Sequence, residues 1–245
     1  MISFAGQNSD EHYLVVEHFP QRIFPKRKYT IQKVPGRSGD IYLDEGEDAF
    51  ENYDQNYSVF MDAKAPGLPQ VSRGIAEWLL GNPGYQRLED SYDPDFFRLA
   101  AYISGEGFIN VFNEYGRGTM TFNCNPKRFY KSGEQEFQAT YDGTIYSPSS
   151  FKSHPIFKIK CLSTGKPVLA VEYTDGTIKT FRVDYTGTGT LIIDSEAHTV
   201  VGFSSGNSYN NKVESDYENL YLPSVSRIRW NNVDTVKIIP RWWTI

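Results

Sequence analysis

Short runs rich in Val, Ile, Tyr, Phe and Thr recur along almost the whole chain, and each ends near Gly, Asn, Asp or Pro. This composition is typical of β-strands separated by turns. In the first half the predicted strands are residues 29–34, 57–63, 98–103, 108–112 and 119–124. In the second half they are residues 155–160, 168–173, 177–184, 190–194, 199–203, 227–230 and 235–239. The sequence therefore predicts a mainly β protein built from antiparallel sheets.

The turns in the second half carry their own signals. Asp175 and Gly176 separate two strand-like runs, and both residues tolerate a positive φ, which favours a two-residue hairpin turn. The segment 194–196 and the Thr-Gly repeat at 186–190 are also interpreted as hairpin turns. The repeat lacks the Lys and the helix that follow a phosphate-binding loop, so we do not expect a phosphate site there.

One segment, PQVSRGIAEWLLGNPG, has helical spacing instead. Its apolar residues from Val71 to Leu79 fall on one face, and Gly81 ends the run. Ser72 is predicted to cap the first turn. Because a helix of about two to three turns is marginal in isolation, we expect Trp78 and Leu79 to pack on a sheet.

The chain of 245 residues is long enough for two domains of ordinary size. The β pattern lapses over a polar, turn-rich stretch at residues 132–153, so we expect one domain at residues 1–135 and a second at residues 136–245. The first carries 14 basic and 19 acidic residues, and the second carries 11 of each. The whole net charge of −5 lies in the first domain, which argues against a strongly basic nucleic-acid binder.

Two clusters of opposite charge stand close together in the first domain. The basic cluster is Lys26, Arg27 and Lys28. The acidic cluster, which contains no Lys or Arg, is Asp44, Glu45, Glu47, Asp48, Glu51 and Asp54. Both clusters are typical of solvated loops, but opposed patches also suit head-to-tail association of identical subunits. We expect residues 44–54 to form a protruding loop or hairpin at a contact with another subunit or with a tail tube.

The sequence offers little for catalysis or ligand chemistry. It contains no nucleophile elbow, no HExxH and no clustered Cys and His, so no catalytic residue, metal site or cofactor is predicted. Cys124 and Cys161 are interpreted as buried small hydrophobic residues. No run approaches the roughly 20 apolar residues that span a bilayer, and the N-terminus lacks the features of a signal peptide. We expect a chain of cytosolic origin without a membrane partner.

Two rival functions remain open at this point. The dense carboxylates Glu89, Asp90, Asp93 and Asp95 could serve a glycan-cleaving enzyme, which needs a pair of acids. Their Asp-Pro context, however, is typical of a turn. Exposed aromatic side chains could instead stack sugar rings in a carbohydrate-binding β-sandwich. The candidates for that role are Tyr209, Tyr217, Tyr221, Trp242 and Trp243.

Seven segments, in order and spread over nearly the entire chain, resemble the distal tail protein (Dit) family of long-tailed phages that infect Gram-positive bacteria. Those in the first domain are MISFAGQNS, YTIQKVPGRSGDIYLDEG, IAEWLLGNPGYQRLEDSYDPDFFRLAAYI and GTMTFNCNPKRFYKSGE. Those in the second domain are TYDGTIYSPSSFKSHPIFKIKC, LIIDSEAHTVVGF and RIRWNNVDTVKIIPRWW. The set in this order carries the resemblance, because no single segment is diagnostic.

The resemblance implies an N-terminal β domain with one short helix, which assembles into a hexameric ring, and a C-terminal galectin-like β-sandwich around the outside. The ring would join the tail tube protein to the tail-associated hub protein that leads to the receptor-binding tip. It would be a virion component at the distal end of the tail, made in the host cytoplasm. DNA would pass through its lumen without specific binding, and a negative first domain would repel the phosphates. Such a role requires no enzyme activity and no cofactor.

Overall fold

The computed structural model describes residues 1–63, 67–103 and 114–245, and the backbone alone of residues 109–111. Within them the chain forms two compact units, Met1–Arg128 together with Ile245, and Phe129–Thr244. This division falls before the expected change at residues 135 and 136. The reason is that the long strand Tyr115–Tyr130 runs on through the junction, so the turn-rich stretch after it belongs to the second unit.

The first unit contains one principal sheet and a separate hairpin. Its strands are β1 Ile2–Phe4, β2 Gln7–Asn8, β3 Leu14–Val16, β4 Tyr29–Gln32, β5 Ile41–Asp44, β6 Tyr53–Asp62, β7 Gln86–Asp90, β8 Phe96–Tyr102, β9 Ile109–Val111 and β10 Tyr115–Tyr130. The sheet has the order β2-β1-β7-β8-β10-β6-β3, and β9 also pairs with β10. β4 and β5 pair with each other in a two-stranded sheet of their own.

Side-chain alternation decides which face of the principal sheet is buried. Along β6 every second residue from Tyr53 to Met61 is buried, and the residues between them are exposed or half-buried. This is the period-two pattern of a sheet with one face in a core. Met120, Phe122 and Cys124 of β10 contribute to the same core.

Helix α1, Leu68–Leu80, covers this core with the face that the sequence predicts. Val71, Ile75, Trp78 and Leu79 are all buried, which confirms the predicted packing of Trp78 and Leu79. The Trp78 indole N–H donates a hydrogen bond of 2.9 Å to the carbonyl of Phe4 in β1. The helix is therefore fixed to the sheet by apolar burial and by one buried hydrogen bond.

The predicted N-cap of this helix is wrong. The helix begins at Leu68 with Gly67 as its N-cap, so Ser72 lies inside the first turns. A Pro in the first turn, Pro69, explains the earlier start, because the first helical N–H groups have no intrahelical partner for Pro to remove. Gly81 ends the helix, as the sequence predicts.

The second unit is a β-sandwich. Its strands are β11 Phe137–Gln138, β12 Gly143–Tyr146, β13 Ile156–Cys161, β14 Val168–Tyr173, β15 Ile178–Arg182, β16 Thr190–Asp194, β17 Thr199–Gly202, β18 Val225–Asn231, β19 Val233–Ile239 and β20 Trp243–Thr244. They form a five-stranded sheet, β11-β19-β13-β16-β17, and a four-stranded sheet, β12-β18-β14-β15. Phe157 and Ile193 from the first of these sheets share one core with Val171 and Phe181 from the second.

Three turns of the second unit test the sequence interpretation. Asp175 and Gly176 do lie in the β14–β15 hairpin, but Tyr173 N–H donates to Thr177 C=O, which leaves a three-residue loop with Gly176 at φ 83°. The turn after Asp194 joins paired strands β16 and β17, which confirms a hairpin. The repeat at 186–190 is not a hairpin turn, because β15 and β16 belong to different sheets.

The mainly β fold class is confirmed. In the described residues α1 is accompanied only by short 3-10 helices, at Ser9–His12, Lys131–Glu134, Asn210–Lys212 and Tyr217–Leu220. No helix among these residues is long and apolar enough to cross a membrane. Residues 108 and 112 of one predicted strand lie outside the described residues.

Candidate assembly surface

The charged clusters of the sequence lie in one hairpin, which we call the arm and define as residues 26–51. Its basic segment runs antiparallel to part of its acidic segment: Glu51 N–H donates to Lys26 C=O at 2.7 Å, and Lys28 N–H donates to Ala49 C=O at 2.9 Å. Beyond this base, β4 and β5 continue the hairpin to a tip at residues 33–40. The two clusters are therefore neighbouring strands at the base of the arm.

Arg27 serves the arm internally. Its Nη1 lies 3.4 Å from Asp44 Oδ2 and donates to the carbonyls of Gly46 and Glu47. Its guanidinium also lies 4.7 Å from the ring centroid of buried Phe50. A cation placed over an aromatic face and against three oxygens stabilises this local geometry. Arg27 is thus half-buried at the base of the arm.

The remaining charged candidates are mostly exposed. Asp48 is half-buried and lies 4.0 Å from the Lys127 ammonium. The exposed members are Lys26, Lys28, Asp44, Glu45, Glu47 and Glu51. The Glu45 carboxylate accepts a hydrogen bond of 3.1 Å from the Thr30 hydroxyl. Exposed charges of both signs beside one another form a surface that another polar surface can recognise, and the structure does not bring them around a cleft.

The apolar surface of the arm was missed by the sequence reasoning. Tyr29, Ile31, Tyr42 and Leu43 are 43%, 53%, 60% and 48% exposed. The signal was available in the strand-like run at residues 29–34, but its partner β5 was hidden in the acidic stretch. Because the two strands pair only with each other in the described chain, their large side chains remain on the surface.

The carboxylates proposed for glycan cleavage are held by arginines. Asp90 is buried and accepts hydrogen bonds from the Tyr57 hydroxyl at 2.8 Å and from Arg98 Nη1 at 3.1 Å. Asp93 accepts from Arg98 Nη2 at 3.4 Å and from Arg128 Nη1 at 2.7 Å. This is a structural network that joins β6, β7, β8 and β10, not a pair of acids across a cleft.

The electrostatics of this network support the same interpretation. Burial, followed by the Asp90 carboxylate, raises the pKa of Tyr57 well above its ordinary value. Burial alone would lower the pKa of Arg98, but its neighbours Tyr57, Tyr53 and Asp90 raise it. Arg98 therefore stays charged and Tyr57 stays neutral at every physiological pH. Glu89 lies apart from these groups and is paired with Arg87.

The aromatic residues proposed for sugar stacking are used in packing. Trp243 is buried against Phe151, and its indole N–H donates to the carbonyl of Lys152 at 2.9 Å. The other four are partly buried against the core or stacked on neighbouring rings: Tyr209 on Tyr185, Tyr217 on Phe181 and His198, Tyr221 on His154, and Trp242 on the core. No open aromatic platform is formed by these five side chains.

Cys124 and Cys161 are buried and not disulfide-bonded, as the sequence predicts. Burial raises the pKa of Cys124 to about 12 and that of Cys161 to about 11. Both side chains are neutral thiols at neutral pH, which makes them poor nucleophiles and poor metal ligands. Among the described residues no group of three His, Cys, Asp or Glu side chains could hold a metal ion.

Fold and surface together define a class: a mainly β protein of two units, with a β-sandwich in the second and an exposed hairpin arm in the first. No family model and no curated protein matches the sequence. Two solved structures match the fold. One is the Dit protein of phage SPP1, described as a paradigm of the hub adsorption apparatus in phages that infect Gram-positive bacteria. The other is from the baseplate of phage P2 in its activated conformation with Ca.

The SPP1 Dit match covers 100% of this chain and 98% of that chain, with a TM-score of 0.78 and 12% sequence identity. The phage P2 match covers 97% of this chain and 89% of that chain, with a TM-score of 0.49 and 8% identity. The chain therefore has the fold of SPP1 Dit over its whole length.

Proposed function

We propose that this chain is a non-enzymatic structural protein of a phage tail, a Dit-like hub component. The observation that carries the proposal is the full-length match in fold to SPP1 Dit, whose described role is in a hub adsorption apparatus. A match over both units is more specific than one over a sandwich alone, because sandwiches serve many functions.

In this proposal copies of the first unit form a hexameric ring, and the second unit, a galectin-like sandwich, lies around the outside. The ring joins the tail tube protein on one side to the tail-associated hub or tip protein on the other, at the distal end of the tail. A cyclic ring needs heterologous interfaces, in which one face of a subunit meets a different face of its neighbour. The exposed charged groups at the base of the arm, among them Lys26, Lys28 and Glu51, are candidates for such a contact or for a contact with the tube.

The absence of an enzyme role is supported by how the candidate residues are used. Asp90 and Asp93 are committed to Arg98 and Arg128. The aromatic residues nominated for sugar stacking pack within the second unit. Neither rival, a glycan-cleaving enzyme or a carbohydrate-binding sandwich, has an assembled site among these residues.

Negative-stain electron microscopy of the purified chain tests the proposal. We expect ring particles with sixfold symmetry and a central hole wide enough for duplex DNA. Particles of single-chain size, together with turnover of a bacterial polysaccharide that is lost in Asp93→Asn, would contradict it. Specific sugar binding by a monomer would instead favour the carbohydrate-binding alternative.

A further inference from the structure

The arm exposes apolar side chains on both of its faces. Ile31 pairs across the hairpin with Tyr42, and Tyr29 pairs with Asp44, so these side chains share one face. The rings of Tyr29 and Tyr42 meet edge to face with centroids 5.6 Å apart. Leu43 lies on the opposite face beside Thr30. Contiguous apolar groups of this size on a surface mark an interaction site.

The strands of the arm also need further support. A single two-stranded hairpin is marginally stable in water, and three or more strands or a packed face are needed for stability. Both outer edges of the arm are open in the described chain, since β4 and β5 pair only with each other. A third strand, supplied from elsewhere, would satisfy open backbone groups and cover apolar side chains at once.

The principal sheet of the same unit ends in a suitable strand, β3. In the described chain β3 pairs only with β6, and it is the last strand in the sheet order. Tyr13 C=O accepts from Asp62 N–H, and Glu17 N–H donates to Ser58 C=O. By the alternation of an antiparallel ladder, the backbone groups of Leu14 and Val16 point away from β6.

The surroundings of β3 complement the arm. Val15 and Tyr13 are 56% and 48% exposed, which provides an apolar surface beside the open edge. The 3-10 helix before β3 carries exposed Asp10 and Glu11. Burial lowers the pKa of His12 between them and β3, so its ring is neutral at neutral pH.

The tip of the arm has the opposite charge. It carries exposed Lys33 and Arg37 against a single acidic residue, Asp40, so its net charge is positive. At the other end of β3, Glu17 lies 3.0 Å from Arg117 and is already paired. The net negative charge near β3 therefore comes from Asp10 and Glu11, which suits a basic arm tip.

We propose that the arm of one copy adds to the open edge of β3 in the next copy, through backbone hydrogen bonds and contact of Ile31 and Tyr42 with Val15. The contact is heterologous, because an arm meets an edge and not another arm, so repetition closes a ring. The proposal rests on the self-association that is part of the proposed function. It names the surface by which subunits meet.

Cross-linking between two single variants tests the contact directly. Ile31→Cys protein is mixed with Val15→Cys protein and treated with a short thiol-reactive bismaleimide. We expect a cross-linked dimer in the mixture and almost none with either variant alone. The buried Cys124 and Cys161 do not interfere, because their thiols are inaccessible and neutral.

A matched control uses Ile178 of the second unit, which is 53% exposed, the same fraction as Ile31. The double variant Ile31→Thr, Tyr42→Thr keeps residues that favour strands, and we expect it to weaken self-association by roughly 10- to 100-fold. Ile178→Thr should assemble like the wild type. Circular dichroism and thermal melting establish that each variant is folded.

The outcomes separate this proposal from the proposed function. If rings form but the mixture gives no more cross-link than the Ile178→Cys, Val15→Cys pair, and the arm variant assembles normally, the arm contact is overturned and the hub role stands. If the wild type does not self-associate at any concentration, both are overturned. Cross-linking in the mixture together with weakened assembly of the arm variant supports the contact.

Discussion

Arg98 shows how single residues in the first unit serve the fold. Its guanidinium is almost fully buried and contacts Tyr53 of β6, Asp90 of β7 and Asp93 in the turn that follows β7. The sequence could reveal the dense carboxylates but not their partners, because Arg98 and Arg128 are brought to them only by the pairing of separate strands. Residue types alone therefore suggested acids for catalysis where the structure has a buried ion-pair network.

Replacing Arg98 tests the network. We expect Arg98→Met to lower the free energy of unfolding by about 3–5 kcal/mol, because it leaves Asp90 as an uncompensated buried charge. Urea unfolding followed by circular dichroism measures the change. In the matched control Lys160→Met, which breaks an exposed pair with Asp234, the free energy of unfolding should hardly change. Equal effects of the two substitutions would contradict the structural role of Arg98.

The two thiols give a prediction on reactivity and pH. Burial raises the pKa of Cys124 to about 12 from the ordinary value of 9.0, so the native protein should not react with Ellman's reagent at pH 8. Two thiols per chain should react after denaturation. Because the pKa in the folded state is above that of the unfolded state, stability is fully present below pH 9.0 and falls as the pH rises toward 12. Rapid labelling of the native protein at pH 8 would contradict the burial of these side chains.

At the scale of elements, periodicity predicted what was long and missed what was short. Helix α1 and strands such as β14 and β16 were predicted because burial of one face imposes a repeating pattern. β1, β2 and β3 are two or three residues long, too short for any period to show. β5 was missed because exposure on both faces removes the pressure for alternation, and exposure is also what makes the arm a candidate surface.

Helix α1 offers a prediction with an internal control. Ile75 is 2% exposed and Leu80 is 61% exposed on the same helix. We expect Ile75→Ala to lower the free energy of unfolding by about 2–5 kcal/mol, because it removes buried methyl groups and leaves a cavity. Leu80→Ala should change it by no more than about 0.5 kcal/mol. Thermal and urea unfolding measure both variants, and a large effect of Leu80→Ala would place the exposed end of the helix in a contact.

At the scale of the whole molecule, the fold class followed from the sequence and the function rests on likeness. Recurrent strand runs implied a mainly β chain, and the structure shares its fold with SPP1 Dit over its full length at only 12% identity. No residue of a hub protein has to perform chemistry, so a sequence has no catalytic motif by which to announce the role. The information lies instead in surfaces, and the arm is a surface that only the three-dimensional pairing of β4 and β5 reveals.

The charge of the chain yields a prediction about DNA. The net charge of −5 should prevent binding of duplex DNA, so that a genome passing through a ring would not adhere. In a gel-shift measurement at about 50 mM salt we expect no retarded band, because contacts to phosphates are strongest at low salt. Salt-sensitive retardation would show a basic surface at the lumen and would contradict this part of the account.

The number of chains in the native particle tests the central claim most directly. Native mass spectrometry of the full chain over a range of concentrations measures it without any assumption about shape. The account predicts a particle of six chains whose population rises with concentration. A single chain at every concentration would contradict it.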